Sequence, residues 1–302
     1  MKKIDTHIYI VLGLFIAGFV IGSFFDAQIS NALFIRNETA GLVVSVIGTV
    51  PGYGILAFMG GGFLLSGLLQ KDKKWFKIVL IVLSVATLGI ATFFAGREFF
   101  GPNGFYWIGV KSFWGYFIAF PAQAVFFYLG YLFAKKTDND KLWIVYLVLC
   151  AAFLLANVLG TTLIKAIVHR PRYRSLDESI GLYFHRWYQR TPDYKYFMET
   201  YKIGSDEFKS FPSGHASTTA CLMMFMAYLP HMSKKFEKLT IPAFYVGLAW
   251  CLLISFARIR VGAHFLSDVS MGALLSIIFF FVGKIVIENT KLVYNSGQQV
   301  SD

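Results

Sequence analysis

Long apolar runs separated by short polar connections dominate this chain. They fall at Ile8–Phe25, Gly52–Leu69, Trp75–Ala95, Phe113–Ala134, Leu142–Lys165, His215–Leu229, Leu239–Arg258 and His264–Ile287. A hydrocarbon core of about 30 Å needs roughly 20 helical residues to cross it, and the runs come close to that length. The pattern predicts an all-α, polytopic transmembrane helical bundle of about eight spans. No internal repeat, heptad array or low-complexity linker interrupts it. The Gly60-Gly61-Gly62 triplet predicts either close helix packing or a kink.

Composition agrees with lipid as the solvent. Of the 302 residues, 56% are hydrophobic and only 15% charged, with a mean hydropathy of +0.59. Soluble chains carry about 25% charged residues. The net charge of +11 would suggest a polyanionic partner in a soluble protein, but here its placement has a topological explanation. Lys2 and Lys3, then Lys71, Lys73, Lys74 and Lys77, then Lys135, Lys136 and Lys141, then Lys234, Lys235 and Lys238 fall on one side if the spans alternate. The opposite connections at 26–51 and 96–112 hold only Arg36, Arg97 and Lys111, beside Asp26, Glu38 and Glu98. This positive-inside asymmetry puts both termini in the cytoplasm. The expected surroundings are the lipid bilayer, with no nucleic acid partner. Trp75, Trp107, Trp114 and Trp143 sit near span ends, where an aromatic belt forms. The first run is long for a signal sequence and no small-x-small site follows it, so it reads as an uncleaved spanning helix. Cys150, Cys221 and Cys251 lie in apolar stretches and read as buried hydrophobes rather than a disulfide or metal framework.

One outer connection breaks the charge pattern. Residues 166–213 carry His169, Arg170, Arg172, Arg174, Arg186 and Arg190 among several tyrosines. They form either a soluble flap or a surface that faces an anion. Three polar stretches converge on this side: Lys165 to Arg172, Phe211-Pro212-Ser213-Gly214-His215, and Arg258 to Asp268. Polar residues are costly near a membrane, so each needs a reason. Spaced four apart, His264 and Asp268 share a face if one helix holds them, and the carboxylate can then accept the Nδ1–H and leave Nε2 free to attack. A cap or a structural hydrogen bond is the plain alternative. Ser213-Gly214 reads either as an ordinary N-cap or as a helix N-terminus that receives phosphate oxygens, with His215 beside it as a general acid. Lys165, Arg172 and Arg258 either snorkel to the interface or, with no obvious carboxylate partner in the spans, clamp an anion such as phosphate.

With those residues in place, the chain resembles the type 2 phosphatidic acid phosphatase superfamily. That pattern is Lys-x6-Arg-Pro, then Pro-Ser-Gly-His, then Ser-Arg-x5-His-x3-Asp. It meets Lys165 and Arg172, then Pro212 to His215, then Arg258, His264 and Asp268. Tyr173 stands where the family has proline, and Ala257 where it has serine. The resemblance implies a helical core in the C-terminal half, within one integral membrane domain over 1–302. The catalytic core would span 142–287, the motif-bearing extracytoplasmic loop 166–213, and additional helices 1–110. The family core is commonly six helices with three before the second motif, whereas five precede it here.

The resemblance further implies a lipid phosphatase or diphosphatase that needs no metal or other cofactor. His264 would be the nucleophile and form a phosphohistidine. Asp268 would orient it and His215 would act as acid and then base. Lys165, Arg172, Ser213, Gly214 and Arg258 would hold the phosphoryl oxygens. The expected substrate is a phosphorylated membrane lipid of the polyprenyl diphosphate, phosphatidic acid or phosphatidylglycerol phosphate type. The expected site is the outer face of a bacterial plasma membrane. A phosphotransferase with the same first half-reaction, and a non-enzymatic lipid transporter, are the competing readings.

Overall fold

The computed structural model describes residues 2–101, 104, 111, 113–137, 139 and 141–289; Trp107 of the expected aromatic belt lies outside them. The helices are α1 (Lys2–Leu33), α2 (Thr39–Leu69), α3 (Lys74–Phe100), α4 (Trp114–Lys136), α5 (Leu142–Leu154), α6 (Ile164–Val168), α7 (Tyr194–Thr200), α8 (Gly214–Met226), α9 (Leu229–Met232), α10 (Thr240–Arg260) and α11 (Leu266–Asn289). A π-helical stretch, Leu155–Leu163, joins α5 to α6 without a break. Among the described residues there is no strand, only a single bridge between Asp177 and Leu182. The all-α polytopic bundle expected from the apolar runs is the fold found.

Among the described residues, seven helices are long and apolar enough to cross a membrane, and the chain is a membrane protein. The exception among the expected spans is His215–Leu229. Its helix, α8, has only 13 residues, about 20 Å of rise. It has little need of lipid-facing length because α2, α10 and α11 pack around it. Its polar residues are paired inside: Ser217 with Ser276 at 2.9 Å, Thr218 with Asn157 at 3.1 Å, and Thr219 with the His215 carbonyl at 2.9 Å. A buried hydroxyl with such a partner costs far less than an orphan.

Contacts along the helices give their directions. α1 runs antiparallel to α11, with Asp5 against Lys284 at one end and Asp26 against Ser267 at the other. α8 runs parallel to α11, from Ser217 beside Ser276 to Tyr228 beside Phe280. One end of the bundle therefore gathers the C-termini of α1, α3, α6 and α10 with the N-termini of α8 and α11. All three motif stretches lie there.

Close packing rests on small residues. A Cβ on Gly61 would sit 2.0 Å from the Phe127 carbonyl oxygen, so glycine lets α2 and α4 touch backbone to backbone. Close packing is thus the role of the glycine triplet. Outward faces stay apolar for lipid: Ile10, Val85, Phe117, Leu159 and Val282 are all exposed.

Three helix ends differ from the sequence reading in ways that matter. α1 and α3 run past their apolar stretches, so Asp26 and Glu98 are helical and buried rather than part of outer connections. α11 begins at Leu266, so His264 precedes the helix instead of sharing it with Asp268.

Candidate active site

The cations are delivered by the turn that ends α6. His169 takes a left-handed conformation (φ 51°) and stacks on Tyr194 with ring centroids 3.8 Å apart. This turn sends Arg170 and Arg172 back into the protein, where both are buried. The Arg172 Nε donates to the Asp206 carbonyl at 2.8 Å, and its backbone N–H to the Glu207 carbonyl at 2.8 Å. No hydrogen-bond partner among the described residues meets Arg172 Nη1. Arg174 pairs with Glu207 at 2.6 Å. Burial opposes the charge on Glu207, but the bond from Arg174 and the nearby Arg172 hold its carboxyl below the usual range. The loop that presents Arg172 is therefore pinned by ionised groups.

Ser213 is the N-cap of α8, its Oγ accepting from the Ala216 N–H at 3.3 Å. The capping alternative is thus realised, and the hydroxyl still has its own hydrogen to donate. The first turn of α8 carries Gly214 and His215. An ideal Cβ on Gly214 would lie 3.7 Å from Lys165 Nζ, so the ammonium group stands over the helix N-terminus, where backbone N–H groups already favour an anion.

His264 lies in the connection between α10 and α11. Its backbone N–H donates to the Arg258 carbonyl at 3.2 Å, tying the nucleophile candidate to the motif arginine, which is itself 0% exposed. Its Nδ1 is 2.7 Å from the Ser210 carbonyl oxygen and 3.8 Å from Asp268 Oδ2. A carbonyl can only accept, so the proton sits on Nδ1 and the lone pair on Nε2. This corrects the expected direct hydrogen bond to Asp268. The tautomer is the expected one, but Ser210 sets it. Asp268 stands one layer behind, accepting from the Ser210 hydroxyl at 2.5 Å and from the Phe265 N–H at 2.8 Å. Burial, then the charges of Arg172, Arg258 and Lys165, hold His264 well below the usual imidazole range. All three cations oppose a further positive charge on the ring.

Across the site, the rings of His215 and His264 have centroids 6.4 Å apart. The structure thus brings together all eight residues singled out from the sequence. It also adds residues that sequence reasoning missed. Glu98 places a carboxylate oxygen 3.5 Å from His215 Nε2. Arg170 donates to Asp268 at 2.5 Å and to Asp26 at 2.9 Å, and its guanidinium lies over the Phe265 ring at 4.0 Å. The signal for Arg170 was present, since it stands inside the Lys165–Arg172 motif. Asp26 and Glu98 looked like loop acids because each falls just past an apolar run. Among the described residues, no group of three or more His, Cys, Asp or Glu side chains could hold a metal ion.

The sequence model of the PAP2 superfamily matches residues 141–291. The chain belongs to the PAP2 superfamily. The match begins before α5 and ends after α11, so it takes in Lys165, Arg172, Ser213, Gly214, His215, Arg258, His264 and Asp268, while Asp26 and Glu98 lie outside it. Among curated proteins, the phosphatidylglycerophosphatase B of Bacillus subtilis (strain 168) is 35% identical over 80 residues, which is 25% of this chain and 37% of that protein. The matched stretch thus spans little more than a third of that relative. No solved structure matches the chain.

Proposed function

We propose that this PAP2 superfamily member is a metal-independent lipid phosphatase or diphosphatase that works through a phosphohistidine on His264. The observation that carries the reading is the pair of facing imidazoles, 6.4 Å between centroids, with Lys165, Arg172 and Arg258 around them. In-line transfer needs a nucleophile and an acid on opposite sides of phosphorus, and the phosphoryl oxygens need cationic and N–H donors.

The steps follow from the tautomer. The Nε2 lone pair of His264 attacks phosphorus in line while the bond to the leaving oxygen breaks. His215 gives that oxygen a proton. Lys165, Arg172, Arg258, the Ser213 hydroxyl and the N-terminus of α8 hold the phosphoryl oxygens. The Ser210 carbonyl, backed by Asp268, stabilises the Nδ1–H as positive charge develops on the ring. Water then attacks the phosphohistidine, His215 takes its proton, and phosphate leaves with His264 restored.

The substrate is a phosphorylated membrane lipid whose tail stays in the bilayer. Phosphatidylglycerol phosphate is the first to try because of the name of the Bacillus relative. Polyprenyl diphosphate and phosphatidic acid are the next. The lysine asymmetry supports an outer-face site in a bacterial plasma membrane, with cytoplasmic termini. The test is phosphate release from this lipid panel by purified protein in detergent, with and without chelator and with His264→Ala as control. Release that resists chelation and vanishes in the variant is expected. Release by the variant at the wild-type rate contradicts the assignment. Turnover that requires an added acceptor alcohol makes the protein a phosphotransferase.

A further inference from the structure

The N-terminal helices lie outside the family-matched segment, yet α1 reaches the layer of residues that supports the site. Asp26 is buried on α1 and faces α11. Its Oδ1 accepts from the Ser267 N–H at 2.9 Å, and its Oδ2 from Arg170 Nη2 at 2.9 Å and from the Ser267 hydroxyl. The approach is close by construction. A Cβ on Gly22, one turn earlier on α1, would sit 2.4 Å from the Ser267 nitrogen. A carboxylate on the first turn of a helix also complements the N–H groups that have no partner within the helix.

Arg170 continues the path. It donates Nη1 to Asp268 Oδ1 at 2.5 Å and to the Ser267 hydroxyl at 2.9 Å, and Nε to the His185 carbonyl at 2.8 Å. Asp268 then takes the Ser210 hydroxyl, and the Ser210 carbonyl takes the Nδ1–H of His264 at 2.7 Å. An unbroken chain of hydrogen bonds therefore runs from α1 to the nucleophile. A monodentate arginine between two carboxylates fixes the position of each only if both are present. Without Asp26, Arg170 Nη2 loses its partner and the first turn of α11 loses its anchor.

We propose that Asp26 is a positioning residue for His264, acting through Arg170, Asp268 and Ser210. The inference rests on the hydrolase reading above. It assigns part of the catalytic support to the added N-terminal helices, which otherwise look like packing alone. Asp26 touches neither imidazole, so its effect is on geometry, and substrate affinity should be spared.

The test measures kcat and KM for phosphate release from phosphatidylglycerol phosphate, or from whichever panel lipid the wild type turns over fastest. Asp26→Asn should lower kcat by about 10- to 100-fold, as outer partners of catalytic groups do, with KM held within about twofold. On an Asp268→Asn background the same change should add nothing, because the path is already cut. A wild-type kcat in Asp26→Asn, or losses that multiply in the double variant, would overturn the proposal. If Asp26→Asn does not fold, Ser267→Ala serves. It should give a smaller loss that again disappears on the Asp268→Asn background, and an unchanged kcat would count against the proposal. Wild-type protein that releases phosphate from no lipid contradicts the hydrolase reading itself, whereas an active wild type with a fully active Asp26→Asn contradicts only this assignment.

Discussion

At the scale of single residues, the proposed mechanism separates the site into groups that would touch phosphate and groups that hold those groups still. His264→Ala should abolish turnover while the protein remains folded, checked by phosphate release beside a thermal melt. The pH profile tests the cationic surroundings. His264 lies well below the usual imidazole range because it is buried and because Arg172, Arg258 and Lys165 oppose a further positive charge. The group is active when neutral, so activity is lost as pH falls through its pKa. Removing one cation makes protonation easier and raises that pKa. Arg172→Gln should therefore move the acidic limb of kcat/KM upward by about one unit, on top of its overall loss of rate. The titration of the substrate is common to both proteins, so the difference between their limbs belongs to the enzyme. A limb that does not move would mean that Arg172 is not beside the nucleophile. The eight motif residues were legible because their spacing is tight and their types are costly near lipid. The hydrogen-bond partner of His264 was not legible. A spacing of four suggests a shared helix face, but Asp268 Oδ2 caps the Phe265 N–H instead, so the helix starts two residues after His264 and a backbone carbonyl takes its place.

At the scale of elements, α8 carries the site and has few of the marks of a spanning helix. Its apolar run read as a short crossing, yet the helix is 13 residues long and enclosed by its neighbours. Its hydroxyls need no water, because Ser217 and Thr218 find partners on neighbouring helices and Thr219 bonds the His215 carbonyl of its own helix. α11 must come very near its first turn. A Cβ on Gly272 would lie 2.2 Å from the Ser213 carbonyl oxygen, and backbone cannot swing aside as a side chain can. Gly272→Val should push the two helices apart, costing about 1–3 kcal/mol of stability and lowering kcat, because Ser213 N–H and the Asp268 carbonyl are bonded at 2.9 Å. Thermal unfolding in detergent beside a kcat measurement checks this. An unchanged melting temperature and rate would show that the α8–α11 contact is looser than the structure has it. Helix ends were the least legible part of the fold. Hydropathy stops at the first charge, whereas α1 and α3 continue because Asp26 and Glu98 are paired inside the protein.

For the whole molecule, the lysine distribution and the helix directions agree on one arrangement, with every motif at the end away from the lysine clusters. Cysteines introduced at Lys73 and Ser175 should label with an impermeant reagent from opposite sides of the membrane. Labelling from one side only would break the alternating order of the spans. The N-terminal helices are bound into the same hydrophobic core as the family segment, and α1 and α3 each bring one buried carboxylate to the site. That contribution could not be read from the sequence, because it depends on which helix packs beside α11 and which beside His215. The central claim is covalent chemistry at His264, and its most direct measurement is protein-bound phosphate after rapid mixing with the labelled lipid and quenching. Acid-labile, base-stable phosphate on the wild type, absent from His264→Ala, is the result expected for a phosphohistidine. Rapid phosphate release with no such adduct, or an adduct that persists in His264→Ala, would contradict it.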